Sequence, residues 1–305
     1  MSKRPQKRKR IKRENRNSRI GKAVGITLVS ALTLTLGACS SSESALPDLS
    51  ALGEITVVTR EEGSGTRSEF ESLVDTTEEG ANEIALSTDE VLEIVADDTN
   101  AIGYVAYSAL AELEGEDGGV EGITILTVDG VSCNADTIAD GDYPLEREYI
   151  LAYIGELSEL ETDFITYIRS AGQEIVAGIA TPVRETKVFL SGGESGTITL
   201  AGSSSMETLM EALIADYNTY NPNAEIILEI SDSTEGLNAA MRGECDLAMS
   251  SRSLASYEEE ILDYYVIAAD GIALIVNAEN PLTDISISRL KTIYDGSVSV
   301  WGDLE

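Results

Sequence analysis

The feature that most constrains this chain is one local design met four times: a short apolar strand, a turn of glycine or hydroxyl residues, and then a new element. The turns are Gly63 to Thr66 after "EITVVT", Gly202 to Ser205 after "TITLA", Ser231 to Thr234 after "EIILEI", and Ser250-Ser251-Arg252 after "CDLAM". Further strands read at Ala101 to Tyr107, Ile123 to Gly130 and Gly271 to Asn277. Helices read from Ser68, from the acid-rich start Ser87 to Glu90, and across Leu157 to Ile179. Strands alternating with helices predict an α/β architecture with mostly parallel sheets. No sequence repeat of 20–50 residues underlies the recurrence.

Each turn is a candidate anion site. A helix N-terminus presents unpaired N–H groups and the positive end of its dipole. Glycine lets backbone approach closely, and hydroxyls add donors. Ser and Thr are also ordinary helix caps, which explains any one turn taken alone. Their conjunction with Arg60, Arg67 and Arg252 adds planar forks suited to oxyanions. Neither phosphate-loop fingerprint fits, because Ser68 stands where the third glycine would be and no Gly-Lys-Ser/Thr occurs.

Residues 1–22 hold eleven Lys/Arg, and Ala23 to Leu36 is largely apolar. With Leu36-Gly37-Ala38-Cys39 and a Ser-rich stretch behind it, this predicts a secretory signal over 1–38 and a tether over 39–53. The Leu-Gly-Ala-Cys run resembles a bacterial lipobox, which implies cleavage before Cys39 and a lipid on its sulfur. An uncleaved anchor or a nucleic-acid-binding arm are the alternatives. Residues 1–38 contribute +10 to the net −33, so the remainder carries −43 and only ten Lys/Arg. Such a body repels nucleic acid. Absence of histidine removes Ser-His-Asp and Cys-His chemistry and the commonest metal ligand. No cofactor or metal is expected, and Cys133 and Cys245 are expected as free, buried thiols, with a disulfide between them as the alternative that an extracytoplasmic location permits.

The motifs "VVTREEGSGTRSEF", "AIGYVAYSAL" and "DTIADGDYPLERE" resemble the carboxyl half of bacterial phosphate-binding proteins of phosphate ABC importers. "ITLAGSSSMETLMEAL", "DSTEGLNAAMRGECDLAMSSRSL", "GIALIVNAENPLT" and "LKTIYDGSVSVWGDL" resemble the amino half. The halves stand in exchanged order, as in a circular permutation with residues 184–196 joining the old ends; a truncated tandem duplication is the competing history. The resemblance implies a two-lobed periplasmic-binding-protein-like fold of type 2, with mixed sheets flanked by helices and the ligand in the cleft between lobes. One lobe would be continuous over 101–276, and the other built from 54–100 plus 277–305. Hinges would fall near Ala101-Ile102-Gly103 and Val276-Asn277.

Carried over residue by residue, the family's phosphate ligands fall on Arg60, Ser64, Gly65 and Thr66 in one lobe and on Ser204, Ser233 and Ser251 in the other. Ser205 and Arg252 adjoin them in the same turns. The position of Ser251 can be an aspartate in the family, accepting the proton of hydrogen phosphate; Glu62 is a candidate for the missing negative charge. The implied protein is a monomeric, lipid-anchored receptor on the outer face of the cell membrane, delivering inorganic phosphate to transmembrane permease subunits. A receptor for sulfate or molybdate is the alternative. Two further alternatives are a phosphate-ester hydrolase and a surface lipoprotein with a vestigial cleft. Without histidine the hydrolase would need Glu62 or a lysine to activate Ser64 or Ser204, and neither Lys187 nor Lys291 lies beside these turns.

Overall fold

Strands and helices are interspersed along the described chain, residues 46–110 and 120–304 of a computed structural model. The signal segment, the lipidation candidate Cys39 and the first part of the tether lie outside the described residues. In chain order the first elements are β1 (Thr56–Arg60), α1 (Gly65–Val74), β2 (Glu83–Ala85), α2 (Thr88–Asp97), β3 (Ala101–Ala106), β4 (Ile123–Ile125), β5 (Thr127–Val128) and α3 (Ala135–Ala139). Next come β6 (Glu146–Tyr153), α4 (Glu159–Ile168), α5 (Gln173–Ile179), β7 (Thr181–Pro182), β8 (Gly196–Ser203), α6 (Glu207–Tyr220) and β9 (Ala224–Ser231). The chain closes with α7 (Ser233–Arg242), β10 (Leu247–Ser250), α8 (Ser256–Glu259), β11 (Asp263–Asn277), β12 (Asp284–Ile285) and α9 (Ile287–Tyr294).

Ten strands hydrogen-bond in one mixed sheet, ordered β2-β1-β3-β11-β6-β10-β8-β9, with β4 and β7 also on β11. The outer pairs β1/β2, β1/β3, β8/β10 and β8/β9 are parallel, while β11 runs antiparallel to β3 and β6. At fifteen residues β11 is long enough to belong to both ends of the sheet. Its register against β6 shifts between Val266 and Ala268, which marks a bulge.

Two main apolar cores form on either side of that bulge. The first takes its buried residues from Leu49 to Leu145 and from Ala269 to Leu304. The second takes them from Tyr149 to Ala268, with a small satellite around Leu237 and Ala240. The chain therefore crosses between cores at Leu145–Tyr149 and at Ala268–Ala269. The hinges expected near 101–103 and 276–277 lie inside the first core, where Ala101, Ile102 and Val276 are fully buried. Core membership follows strand pairing: β3 lies between β1 and β11 and so joins the first core.

The expected tether also ends earlier than residue 53. Leu49 is buried in the first core, and residues 53–55 are stitched to the far end of the chain. There Ile55 N donates to Ser299 O (2.8 Å) and Trp301 N to Gly53 O (3.1 Å). The 184–196 linker has no regular structure over residues 185–195, yet Phe189 packs among Tyr167, Tyr217 and Tyr220. The helix expected over 157–179 is two helices, α4 and α5, broken at residues 169–172. Cys133 and Cys245 are free and buried, one in the first core and one in the satellite; burial pushes the Cys245 thiol up to about 11 and Cys133 further.

Candidate functional site

The four turns converge where the two cores meet. From the first core, β1 ends at Arg60 and the chain turns through Gly63 into α1, which starts three residues earlier than the sequence suggests. Ser64 caps that helix, its Oγ accepting from Arg67 N (3.4 Å). From the second core come the end of β8 with the 3-10 turn Ser204–Met206, the first turn of α7, and Ser251 after β10. Asp232 caps α7, accepting from Glu235 N at 2.8 Å.

Contact across the junction is direct. Thr66 and Ser205 hydroxyls lie 2.8 Å apart, and Arg60 Nη2 donates to Ser204 Oγ at 3.4 Å. Ser203 Oγ donates to Ser251 Oγ (2.9 Å), and Ser251 N to Ser233 Oγ (3.1 Å). Gly65 sits against this pair: a Cβ there would overlap Ser233 Oγ and come within 2.5 Å of Ser251 Oγ. Gly63, at φ +97°, likewise leaves no space for a Cβ, which would meet Asp232 at 2.9 Å. Ser64, Thr66, Ser233 and Ser251 are all buried. Eight of the nine expected residues (Arg60, Ser64, Gly65, Thr66, Ser204, Ser205, Ser233 and Ser251) thus form one cluster.

Arg252 is the ninth, and the structure directs it elsewhere. Its guanidinium forms a two-pronged pair with Glu258 (2.8 and 2.9 Å) and donates to Ser253 O (3.0 Å). Burial works to raise the Glu258 carboxyl, but the bond from Arg252 and that from Ala255 N outweigh it and hold it low. Arg252 therefore braces the α8 loop, a role its position one residue after Ser251 does not reveal.

Arg60 is nearly fully buried and shares one edge of its fork with Glu61, through Nε (2.8 Å) and Nη2 (2.9 Å). A guanidinium has five donors and a second edge, Nη1/Nη2. That edge faces Thr88 and Ser204, each at a long 3.4 Å. Glu61, not Glu62, is the carboxylate beside the cation; Glu62 is exposed. A cavity of about 270 Å³ is lined in part by Ser87, Thr88, Asp89, Ser108, Ser204 and Glu207, and Arg60 reaches two of these, Thr88 and Ser204. Burial, with Glu211 and Asp89 close by, raises the Glu207 carboxyl.

Arg147 and Asp270 were missed by sequence reasoning. Both side chains are fully buried at the crossing point, and they face each other in the β6/β11 register. Arg147 Nη1 donates to Thr66 Oγ1 at 2.8 Å. Burial opposes the Arg147 charge, but Tyr149 and Asp270 outweigh it. The available signal was a lone arginine and a lone aspartate, each flanking an apolar run ("REYILAY" and "AADGIALIV").

The chain matches the model of the PBP superfamily domain over residues 41–171 and 188–304. It is 34% identical over 284 residues to phosphate-binding protein PstS 2 of Streptococcus pneumoniae serotype 4, covering 88% of this chain and 94% of that one. The PstS 2 of Streptococcus agalactiae serotype V is equally similar, at 34% over 285 residues, 88% and 92% of the two chains. The match to Bacillus subtilis PstS is 33% identical but spans 44% of each chain. Among solved structures, a phosphate-binding protein of a phosphate ABC transporter from Streptococcus pneumoniae TIGR4 superposes with a TM-score of 0.67 at 32% identity, covering 83% of this chain and all of that one. This chain belongs to the PBP superfamily and, within it, to the PstS phosphate-binding proteins.

Proposed function

We propose that this protein captures inorganic phosphate between two lobes and delivers it to the transmembrane permease subunits of an ABC importer. The observation that carries the reading is the cluster itself: one buried guanidinium edge, one helix N-terminus and hydroxyls from both cores, closed around Gly65. Arg60 supplies the charge-assisted fork, Ser64 to Thr66 the N–H and hydroxyl donors of α1, and Ser204, Ser205, Ser233 and Ser251 the opposing hydroxyls. Such donors bind an anion without breaking a bond, and no histidine is present to activate a serine.

The lobes correspond to the two cores, with hinges at residues 145–149 and 268–269. The protein acts as a monomer, held by lipid on Cys39 at the outer face of the cell membrane. The swapped order is a circular permutation shared with the streptococcal PstS 2 proteins, since those match almost end to end while the Bacillus protein matches over less than half. Permutation is tolerated where old ends lie together on the surface, as the exposed residues about 184–187 and 192–196 do.

Ser251 favours a second reading, a receptor for sulfate or molybdate, because it is uncharged where the family can hold an aspartate. Isothermal titration of the soluble form from Ser40 onward decides between them. Saturable one-to-one binding of phosphate, with sulfate and molybdate at least about a hundredfold weaker, supports the proposal. Equal or tighter binding of sulfate or molybdate overturns it.

A further inference from the structure

Behind the donor cluster lies a buried polar network that reaches both cores. Arg147 Nε and Nη2 both donate to Asp270 Oδ2, at 3.0 and 2.8 Å, and Nη2 also reaches Tyr149 Oη at 3.2 Å. Asp270 Oδ1 accepts from Ser108 N (2.9 Å), and Tyr149 Oη donates to Asp270 Oδ2 (2.7 Å) or Ser205 O (3.0 Å). The aspartate and tyrosine thereby fix the guanidinium in one orientation. Its remaining nitrogen, Nη1, donates forward to Thr66 Oγ1 in the first core (2.8 Å) and to Ser251 O in the second (3.3 Å).

The direction of the Thr66 bond follows from chemistry. A guanidinium has donors and no acceptor, so Thr66 Oγ1 must accept. The single hydroxyl proton of Thr66 is then left to point away from Arg147, toward Ser205 Oγ and the space an anion would take. A hydroxyl that could otherwise turn either way is committed as a donor. The network is fully connected and lies out of water, where such bonds are strengthened and orientation is costly to change.

We infer that Arg147 is a positioning residue for phosphate: it directs the Thr66 hydroxyl at the anion and ties Thr66 to Ser251 across the two lobes. This rests on the proposed phosphate-binding function and deepens it, because Arg147 acts through Thr66 and not as a direct ligand.

A double-mutant cycle read by isothermal titration with inorganic phosphate tests it, using the wild type, Arg147→Lys, Thr66→Ala and the double variant. Lysine keeps the charge beside Asp270 but lacks the planar fork that reaches Thr66. Each single change is expected to weaken phosphate about tenfold or more, and the double variant to be no more than about threefold weaker than Thr66→Ala alone. Losses that multiply in full, or an unchanged affinity in folded Arg147→Lys, overturn the inference. Thermal melting reports folding of each variant. Should Arg147→Lys fail to fold, the paired change Arg147→Met with Asp270→Leu replaces the ion pair by apolar groups, a swap buried pairs often tolerate, and the same cycle is run on it. Wild type that does not bind phosphate removes the functional reading and this inference together. Wild type that binds, with independent Arg147 and Thr66 losses, removes the inference alone.

Discussion

The two cores bury the same kind of pair, a glutamate beside an arginine, and treat it in opposite ways. In the second core Glu258 meets the two-pronged Arg252, Ala255 N and the Tyr257 hydroxyl, and its carboxyl is held low. In the first, Glu78 lies 3.1 Å from Arg67 Nε and accepts from Thr59 Oγ1, but its Oε1 is buried with no hydrogen-bond partner. Burial wins there, over the bonds from Thr59 and Tyr104 and the charge of Arg67, and the carboxyl rises to about 7. A buried carboxylate is ionised when both oxygens are satisfied, and resists ionisation when one is not. The contrast extends to the junction. The first core brings Arg60 and the start of α1, while the second brings neutral hydroxyls, its nearby cation already engaged. In the proposed binding, charge attraction and close-range orientation would be divided between the two sides.

The largest effect that could break this division is loss of the C-terminal piece. Deleting Leu282 to Glu305 should abolish phosphate binding in titration, although the segment holds none of the donors. Tyr294 packs edge-on to Phe70 of α1 and Trp301 Nε1 donates to Asn100 O, so the first core loses its support. Normal binding by the deletion variant would show that the first core does not need both chain ends.

Next in size is the unsatisfied acid. Glu78 has a folded pKa of about 7, above its ordinary 4.5, so its favourable contribution is complete below pH 4.5 and is lost as pH rises through 7. Glu78→Gln should therefore raise stability above pH 7 by up to roughly 3 kcal/mol and add nothing near pH 4. Urea unfolding at both pH values checks this; a gain that does not depend on pH would reject it.

Arg60→Ala should weaken phosphate at least about tenfold, since a charge-assisted hydrogen bond contributes roughly 1.5–3 kcal/mol. The smallest effect sharpens the comparison from the other side. Arg252→Met should change phosphate affinity less than about threefold, while lowering the melting temperature because Glu258 is left buried and unpaired. Comparable affinity losses for Arg60→Ala and Arg252→Met would return Arg252 to the binding set.

Much of the cluster was legible because its chemistry sits in turns. "GSGT", "GSSS" and "SDST" carry glycine and hydroxyls at strand ends, and such punctuation survives without knowledge of pairing. Arg147 and Asp270 could not be read this way. Asp270 is a single acid in an apolar run, and Arg147 stands between Glu146 and Glu148 at the start of β6. The two acquire meaning only through the register that sets them opposite one another. The same aspartate shortened the expected strand to Gly271–Asn277, when β11 begins at Asp263. The cores divide away from the expected hinges for a related reason: whether a strand belongs to one core or the other depends on its neighbours in the sheet. Arg252 misled because adjacency to Ser251 in sequence says nothing about the direction of a long side chain.

The stitching of residues 49–55 to residues 299–304 has a mechanical consequence. Both chain ends leave from the first core, so a lipid on Cys39 would hold that core alone. Nine residues lie between Cys39 and buried Leu49, ten steps of chain and so a leash of at most about 35 Å when fully extended. With the proposed lipid and lobe closure, the first core would be the moored body and the second the one that swings. On that proposal, the chain order would decide which jaw is held at the cell surface and which one moves.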